Sequence, residues 1–153
     1  MKRKVYIVFY STGSYEDFCE YIAGVFDNRK SAVNCSKELD RKWKEISDIS
    51  EQIWQLRDDL FEEKESKCLE VDKQKEKLLE ELESKFENKN SKEYLLEKET
   101  VENKIYDLYD EVEEFINTKI MKKLGIKESV FREANSYDGE YNGSRVEEYE
   151  LKS

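Results

Sequence analysis

Histidine is absent from the 153 residues. The side chain that most often supplies a general base near neutral pH, and the commonest metal ligand, is therefore missing. Catalysis would fall to carboxylates, Lys, Tyr or Cys. The three cysteines, Cys19, Cys35 and Cys68, are odd in number and no two sit at metal-ligand spacing. Cys19 lies in a strand-like run and the other two lie on helical stripes, so buried packing is expected for each. The segment Ser11-Thr12-Gly13-Ser14 surrounds a glycine with hydroxyls but lacks the further glycines and the Lys of a phosphate loop. It reads as a hairpin connection. No loop of the kind that organises a cation accompanies the acidic residues. No catalytic residue, cofactor site or metal site is named, and an enzyme is not expected.

Recognition is the chemistry that remains. Asp107, Asp110, Glu111, Glu113 and Glu114 cluster in one helical segment, and Glu147, Glu148 and Glu150 lie near the end. A row of carboxylates can imitate the phosphates of DNA; a solvated helix face is the plainer reading, since Lys and Glu mix elsewhere. Tyrosine is abundant at ten residues, with Tyr137, Tyr141 and Tyr149 in the turn-rich tail. Tyr gives contact area at low entropy cost, although strand packing uses it equally. Trp43 and Trp54 stand on a long apolar stripe. The candidate partner-binding set is Asp107, Asp110, Glu111, Glu114, Trp43 and Trp54.

These residues need elements to carry them. Charged residues make up 42 % of the chain, the mean hydropathy is -0.95 and the formal net charge is -10. With no proline, five glycines and 12 % aromatics, long thin helices fit this polarity better than disorder does. Val5 to Tyr10 is apolar on both alternating faces, which suits a central strand covered on both sides. Strands are expected near 3–10, 18–26 and 145–151, with Gly24 marking a bulge or a close approach. Asp27 or Asn28 caps a helix. Its stripe runs through Ala32, Cys35, Leu39, Trp43, Ile46, Ile49, Ile53, Leu56 and Leu60, then Cys68, Val71, Leu78, Leu82 and Phe86. Unbroken, it spans roughly 60 residues, or ~90 Å; a break would fall near 47–50 or 62–67. Asn90 with Glu93 has capping-box spacing after the polar reversal at 87–91. The next helix carries Tyr94, Val101, Leu108 and Phe115 at seven-residue steps, an a/d seam that ends at a Gly125 cap. Helices are thus expected over 29–86 and 91–124. Asp138–Gly139 and Asn142–Gly143 read as tight turns.

The fold class is therefore α+β. A small three- or four-stranded antiparallel sheet comes from the chain ends, and a long antiparallel helical hairpin (a coiled coil) is inserted. Residues 1–40 plus 126–153 would form a β-β-α-β domain and 41–125 a helical arm. The arm's second helix is too short to cover the first. Trp43, Ile46, Ile49, Ile53 and Trp54 must therefore pack on the sheet, on a bend of the helix, or on another chain.

The chain ends resemble a family of small uncharacterised phage and bacterial proteins. The likeness lies in the strand KVYIVFY, the Tyr15-Glu16-Asp17 loop and a second strand ending Gly-Val-Phe. It continues in the helix opening at Lys30, Ser31 and Ala32, and in the terminal strand Val146 to Leu151. It covers the first 40 and last 10 residues or so, with the helical hairpin as an insertion. The resemblance implies a β-β-α-β mini-domain and a phage or mobile-element origin, and it implies no catalytic residues.

Taken together, the expectation is a phage-type accessory protein that binds and inhibits a host protein, such as a defence nuclease (anti-CRISPR-like). The alternative is a coiled-coil structural or adaptor protein that forms a homodimer without inhibiting anything. The partner would have a basic surface. Direct nucleic-acid binding is not expected of so acidic a chain, nor is a membrane span, because no apolar run nears ~20 residues. Reduced cysteines and no leading signal segment point to the cytoplasm, of the host if phage-encoded.

Overall fold

Val5 to Tyr10 can pack on either alternation, and the chain uses it as the middle of a sheet. The computed structural model describes residues 2–152. Strand β1 (Arg3–Thr12) lies between β2 (Cys19–Phe26) and β3 (Tyr141–Leu151), antiparallel to both. On β2 the pairing runs Val8↔Gly24 then Phe9↔Ile22, which leaves Ala23 as the extra residue of a bulge beside Gly24. A Cβ on Gly24 would stand 2.7 Å from the Phe26 ring, so this glycine also permits a close approach. On β3 the pairs Tyr10↔Ser144 and Thr12↔Tyr141 leave a second bulge. It contains Asn142–Gly143, expected as a tight turn; Gly143 at φ 101 bends the strand without ending it. The turn at Asp138–Gly139 forms as expected, with Gly139 at φ 79.

Four helices follow the element order: α1 (Arg29–Asp59), α2 (Phe61–Lys85), α3 (Lys92–Leu124) and α4 (Glu128–Asn135). A short 3-10 turn, Tyr15–Asp17, sits in the β1–β2 connection. About two-thirds of the chain is helical, in an α+β arrangement. Asn28 caps α1, its Oδ1 accepting the Ser31 N–H at 2.8 Å. Ser91, rather than Asn90, caps α3 by accepting the Tyr94 N–H at 3.2 Å. At the far end of α3 the Ile126 N–H reaches the Met121 carbonyl at 3.2 Å around Gly125, whose φ is 63. The short α4 was not anticipated, although Val130, Phe131 and Ala134 have helical spacing.

The chain forms two compact units, Met1–Gln52 with Ser129–Ser153 and Ile53–Glu128; the boundary between them, like the one expected at 40/41, falls inside α1. In the first unit, α1 covers one face of the sheet. Val8 and Ala32 are fully buried, and Ser36 Oγ meets Ser144 Oγ at 2.5 Å. The Tyr141 hydroxyl donates to Asp40 at 2.5 Å. The other face, expected to be covered, is open: Ile22 is 60 % exposed and Val25 59 %. The reason is a shortage of helix, because α2 and α3 bury their stripes on each other.

In the second unit α2 and α3 run antiparallel, since contacts pair low numbers on one with high numbers on the other. Lys119 donates to Glu63 at 2.6 Å, Lys85 donates to Glu97 at 2.7 Å, and the Tyr109 hydroxyl donates to Asp72. Val71 and Leu82 of α2 are buried, as are Tyr94, Ile105, Val112, Ile116 and Ile120 of α3. The seven-residue seam does not hold to its end. Phe115 is 40 % exposed while Ile116 is 2 %. A straight α-helix drifts by ~20° per heptad from a seven-residue repeat. Over the three heptads from Tyr94 that turns Phe115 outward and Ile116 inward.

The long helical stretch is interrupted neither near 47–50 nor near 62–67 but at Leu60. Its N–H still reaches Leu56 O at 3.0 Å and its carbonyl still accepts the Lys64 N–H at 3.0 Å. The interruption is a one-residue distortion. Around 47–50 the buried Ile46, Ser50 and Ile53 hold the helix. Around 62–67 it is held by cross-helix pairs from Glu63 and Lys64.

The drift of the seam gives a discriminating test by urea denaturation. Ile120→Ala should cost about 2–5 kcal/mol, the usual range for a buried Ile truncated in a core. Phe115→Ala should cost well below about 2 kcal/mol, because the ring is only partly buried. The reverse order would restore the seven-residue seam.

Candidate protein-binding surfaces

Asp107, Asp110, Glu111 and Glu114 are all exposed, and the helix brings them together. At about 100° per residue they fall within about 100° of arc. Ile105, Val112 and Ile116 cluster about 160° away, against α2. The burial that seats α3 therefore turns this acidic row directly outward. Among the described residues none of the four has an ion-pair partner, whereas the neighbouring Glu113 is paired with Lys64 and Glu102 stands 3.9 Å from Lys98. The row is a line of carboxylates without ion pairs among the described residues, although Glu111 and Glu114 share a hollow with Lys119 and Lys122. Among the described residues no three His, Cys, Asp or Glu side chains converge to hold a metal.

The two tryptophans separate. Trp43 belongs to the sheet-containing unit and Trp54 to the helical one. Trp43 is half-buried and stacked on Tyr141, with ring centroids 5.2 Å apart and planes 16° from parallel. Trp54 is 57 % exposed, with the Arg57 guanidinium 5.5 Å above its ring. It lines a hollow of about 290 Å³ with Arg57, Phe61, Lys64 and Ile116. The apolar stripe, expected to pack on the sheet, on a bend of the helix or on another chain, is largely satisfied within this one, since Ile46 and Ile53 are buried.

The open face of the sheet is the surface that sequence reasoning missed. Val5, Ile7 and Phe9 line its centre, Ile22 and Val25 lie along β2, and Tyr149 and Leu151 lie along β3. Their alternation was visible in the sequence; nothing in it said that this face would stay uncovered. Cys19, expected to be buried, is exposed at the start of β2 because that strand is an edge. Tyr15 stands at the hairpin tip, 97 % exposed and at φ 52, a conformation that costs a non-glycine residue about 1 kcal/mol.

Arg145 organises this face. Its guanidinium lies 4.7 Å from the Phe9 ring centroid and donates to Glu20 and Glu147, each at 2.8 Å. Its hydrogen bonds to Glu20 and then to Glu147 raise the Arg145 pKa. The Arg145 hydrogen bond holds Glu20 below its ordinary carboxylate value. Glu147 is lowered chiefly by the Tyr149 hydroxyl and next by Arg145. Among the described residues no helix is long and apolar enough to cross a membrane. In comparisons with known proteins, no family model, curated protein or solved structure matches the chain.

The lowered carboxylates fix a pH dependence. Groups whose folded pKa is depressed contribute stability that is fully present above the unfolded value, about 4.3 for Glu, and lost as pH falls through the folded values. The Arg145 Nε–H resonance should therefore hold its position from pH 7 to about 5 and move only below about 4.3. A midpoint at or above the ordinary carboxylate value would show that the pairs do not form.

Proposed function

We propose that this chain is a non-catalytic accessory protein of the phage type that binds a basic surface of a host protein and inhibits it. A nuclease of the host's defences (anti-CRISPR-like) is the partner whose chemistry fits best. The observation that carries the reading is the row of unpaired carboxylates on the side of α3 turned away from α2. From Asp107 to Glu114 the row rises ~10 Å, about the rise of three nucleotides along one DNA strand at ~3.4 Å each. A channel built to hold phosphates would accept charges so spaced. A net charge of -10 would at once repel duplex DNA and anionic membranes and steer the chain towards a basic protein. The open sheet face supplies apolar area that acids alone lack.

A structural or adaptor role through self-association is the second reading. Leu69, Leu95 and Leu96, all more than half exposed on α2 and α3, support it. Pull-down from host lysate, with and without nuclease treatment, separates the two when read against the mass of the isolated protein in solution. A stoichiometric host protein with a monomeric bait supports the first reading; a dimer with no captured protein supports the second.

With the captured partner, reversing Asp107, Asp110, Glu111 and Glu114 to Lys should slow association at least tenfold at low salt, with the circular dichroism unchanged. Wild-type association should slow as salt rises, because exposed charges are screened over ~8 Å at physiological ionic strength. Undiminished association by the reversed variant would remove the acidic row from the contact. Loss of affinity on Trp54→Ala would then move the contact to the hollow beside Trp54.

A further inference from the structure

In the sheet-containing unit, a hollow of about 290 Å³ is walled by Trp43, Tyr137 and Tyr141 and edged by Glu133, Asp138 and Glu140. Trp43 stacks on Tyr141, and Tyr137 lies tilted against Trp43, the planes 36° apart. Trp43 lies 5.2 Å from Tyr141 and 5.7 Å from Tyr137 between centroids. All three are only half-buried, so part of each ring stays open to the hollow. Burial, and then the hydrogen bond to Asp40, push the Tyr141 hydroxyl up to about 12. That hydroxyl is neutral and already donating, so towards the hollow Tyr141 offers a ring rather than a proton.

The acids around these rings are under-compensated. Glu133 faces Lys42 at 3.5 Å, an exposed pair. Among the described residues, Asp138 Oδ1 accepts only the Glu140 backbone N–H, at 3.2 Å, and has no cationic partner. The Glu140 side chain has no partner among the described residues; its backbone carbonyl accepts the Gly13 N–H at 2.8 Å. Among the described residues three carboxylates thus face one ammonium. Aromatic faces attract cations through the ring quadrupole, and carboxylates in a concave setting concentrate negative potential. An anion is repelled from such a place, and a neutral aliphatic group gains nothing from its acids.

We propose that this hollow binds a single organic cation: a quaternary ammonium, or the charged head of a lysine or arginine side chain. Its volume, at the small end of the ~300–1,000 Å³ typical of ligand pockets, suits one such group. The inference does not rest on the acidic row of α3, which lies in the other unit. A lysine or arginine occupant would give a basic partner protein a second point of contact.

The test uses the full chain carrying Trp54→Phe, so that Trp43 is the sole tryptophan. Its fluorescence is titrated with tetramethylammonium, with N-acetyl-lysine methylamide and with neopentyl alcohol as a neutral isostere, at constant ionic strength. A saturable change with either cation and none with the alcohol is expected. Saturation by tetramethylammonium alone would identify a free quaternary ammonium as the natural class, and saturation by the lysine derivative a protein side chain. Asp138→Asn with Glu140→Gln, both at exposed or half-exposed positions, should weaken binding at least fivefold, whereas Glu76→Gln, at an exposed position of α2, should leave it unchanged. The Trp43 indole N–H resonance of the unaltered chain gives the same reading if Trp54→Phe disturbs the fold. No saturation with either cation, an equal response to the alcohol, or an undiminished response in the double variant would overturn the proposal.

Discussion

Apolar surface is scarce in this chain, at 37 % of residues against 42 % charged, and its burial decides where every other side chain stands. A helix here has one narrow stripe to bury. Each buried aliphatic side chain contributes roughly 1.5–3 kcal/mol, against about 0.3–0.5 kcal/mol for a helical ion pair. Burial therefore wins over charge pairing when the two compete for the rotation of a helix. In α3, seating Ile105, Val112, Ile116 and Ile120 against α2 fixes the helix about its axis. The outward acidic row is a consequence of that rotation.

The charges that do pair lie beside the seam rather than opposite it. Glu63 meets Lys119, Lys64 meets Glu113 and Lys85 meets Glu97 across α2 and α3. These side chains remain partly exposed, so each pair adds little to stability. Their value is register, because sliding one helix past the other would set like charges side by side. The same reasoning explains Phe115. Turned out of the seam, its ring is flanked by Lys67 and Lys119 at 4.2 and 5.4 Å, which lie over it instead of a hydrophobic neighbour.

The sheet shows the scarcity differently. Its two edges are unequal. β3 carries Arg145, Glu147, Glu148 and Glu150 and bends at Gly143, all features that discourage pairing with another chain. β2 has no charge from Tyr21 to Phe26 and relies on the bulge at Ala23. With α1 on one face only, the remaining apolar residues of β1 are partly shielded by Arg145, which Glu20 and Glu147 hold above Phe9. A cation between two carboxylates thus stands where a second helix layer would otherwise be needed.

Periodicity and local chemistry were readable residue by residue. The both-sided apolar run of β1, the Asn28 cap, the Gly125 terminus, the Asp138–Gly139 turn and the stripes of the long helices all depend on neighbours within a few positions. So the α+β class and the three strands followed from the sequence alone. So did the clustering of Asp107, Asp110, Glu111 and Glu114 on one helix, since their spacing is itself a helical period. Which face of an element finds a cover depends on residues far away in the chain, and no local pattern encodes that. Tertiary structure alone decided that one side of the sheet stays open, that Trp43 stacks on Tyr141 while Trp54 remains exposed, and that Cys19 falls on an edge. It also decided between Phe115 and Ile116, because a straight helix turns by 3.6 residues and the helix it packs against, rather than the repeat in the sequence, selects which side chain is buried.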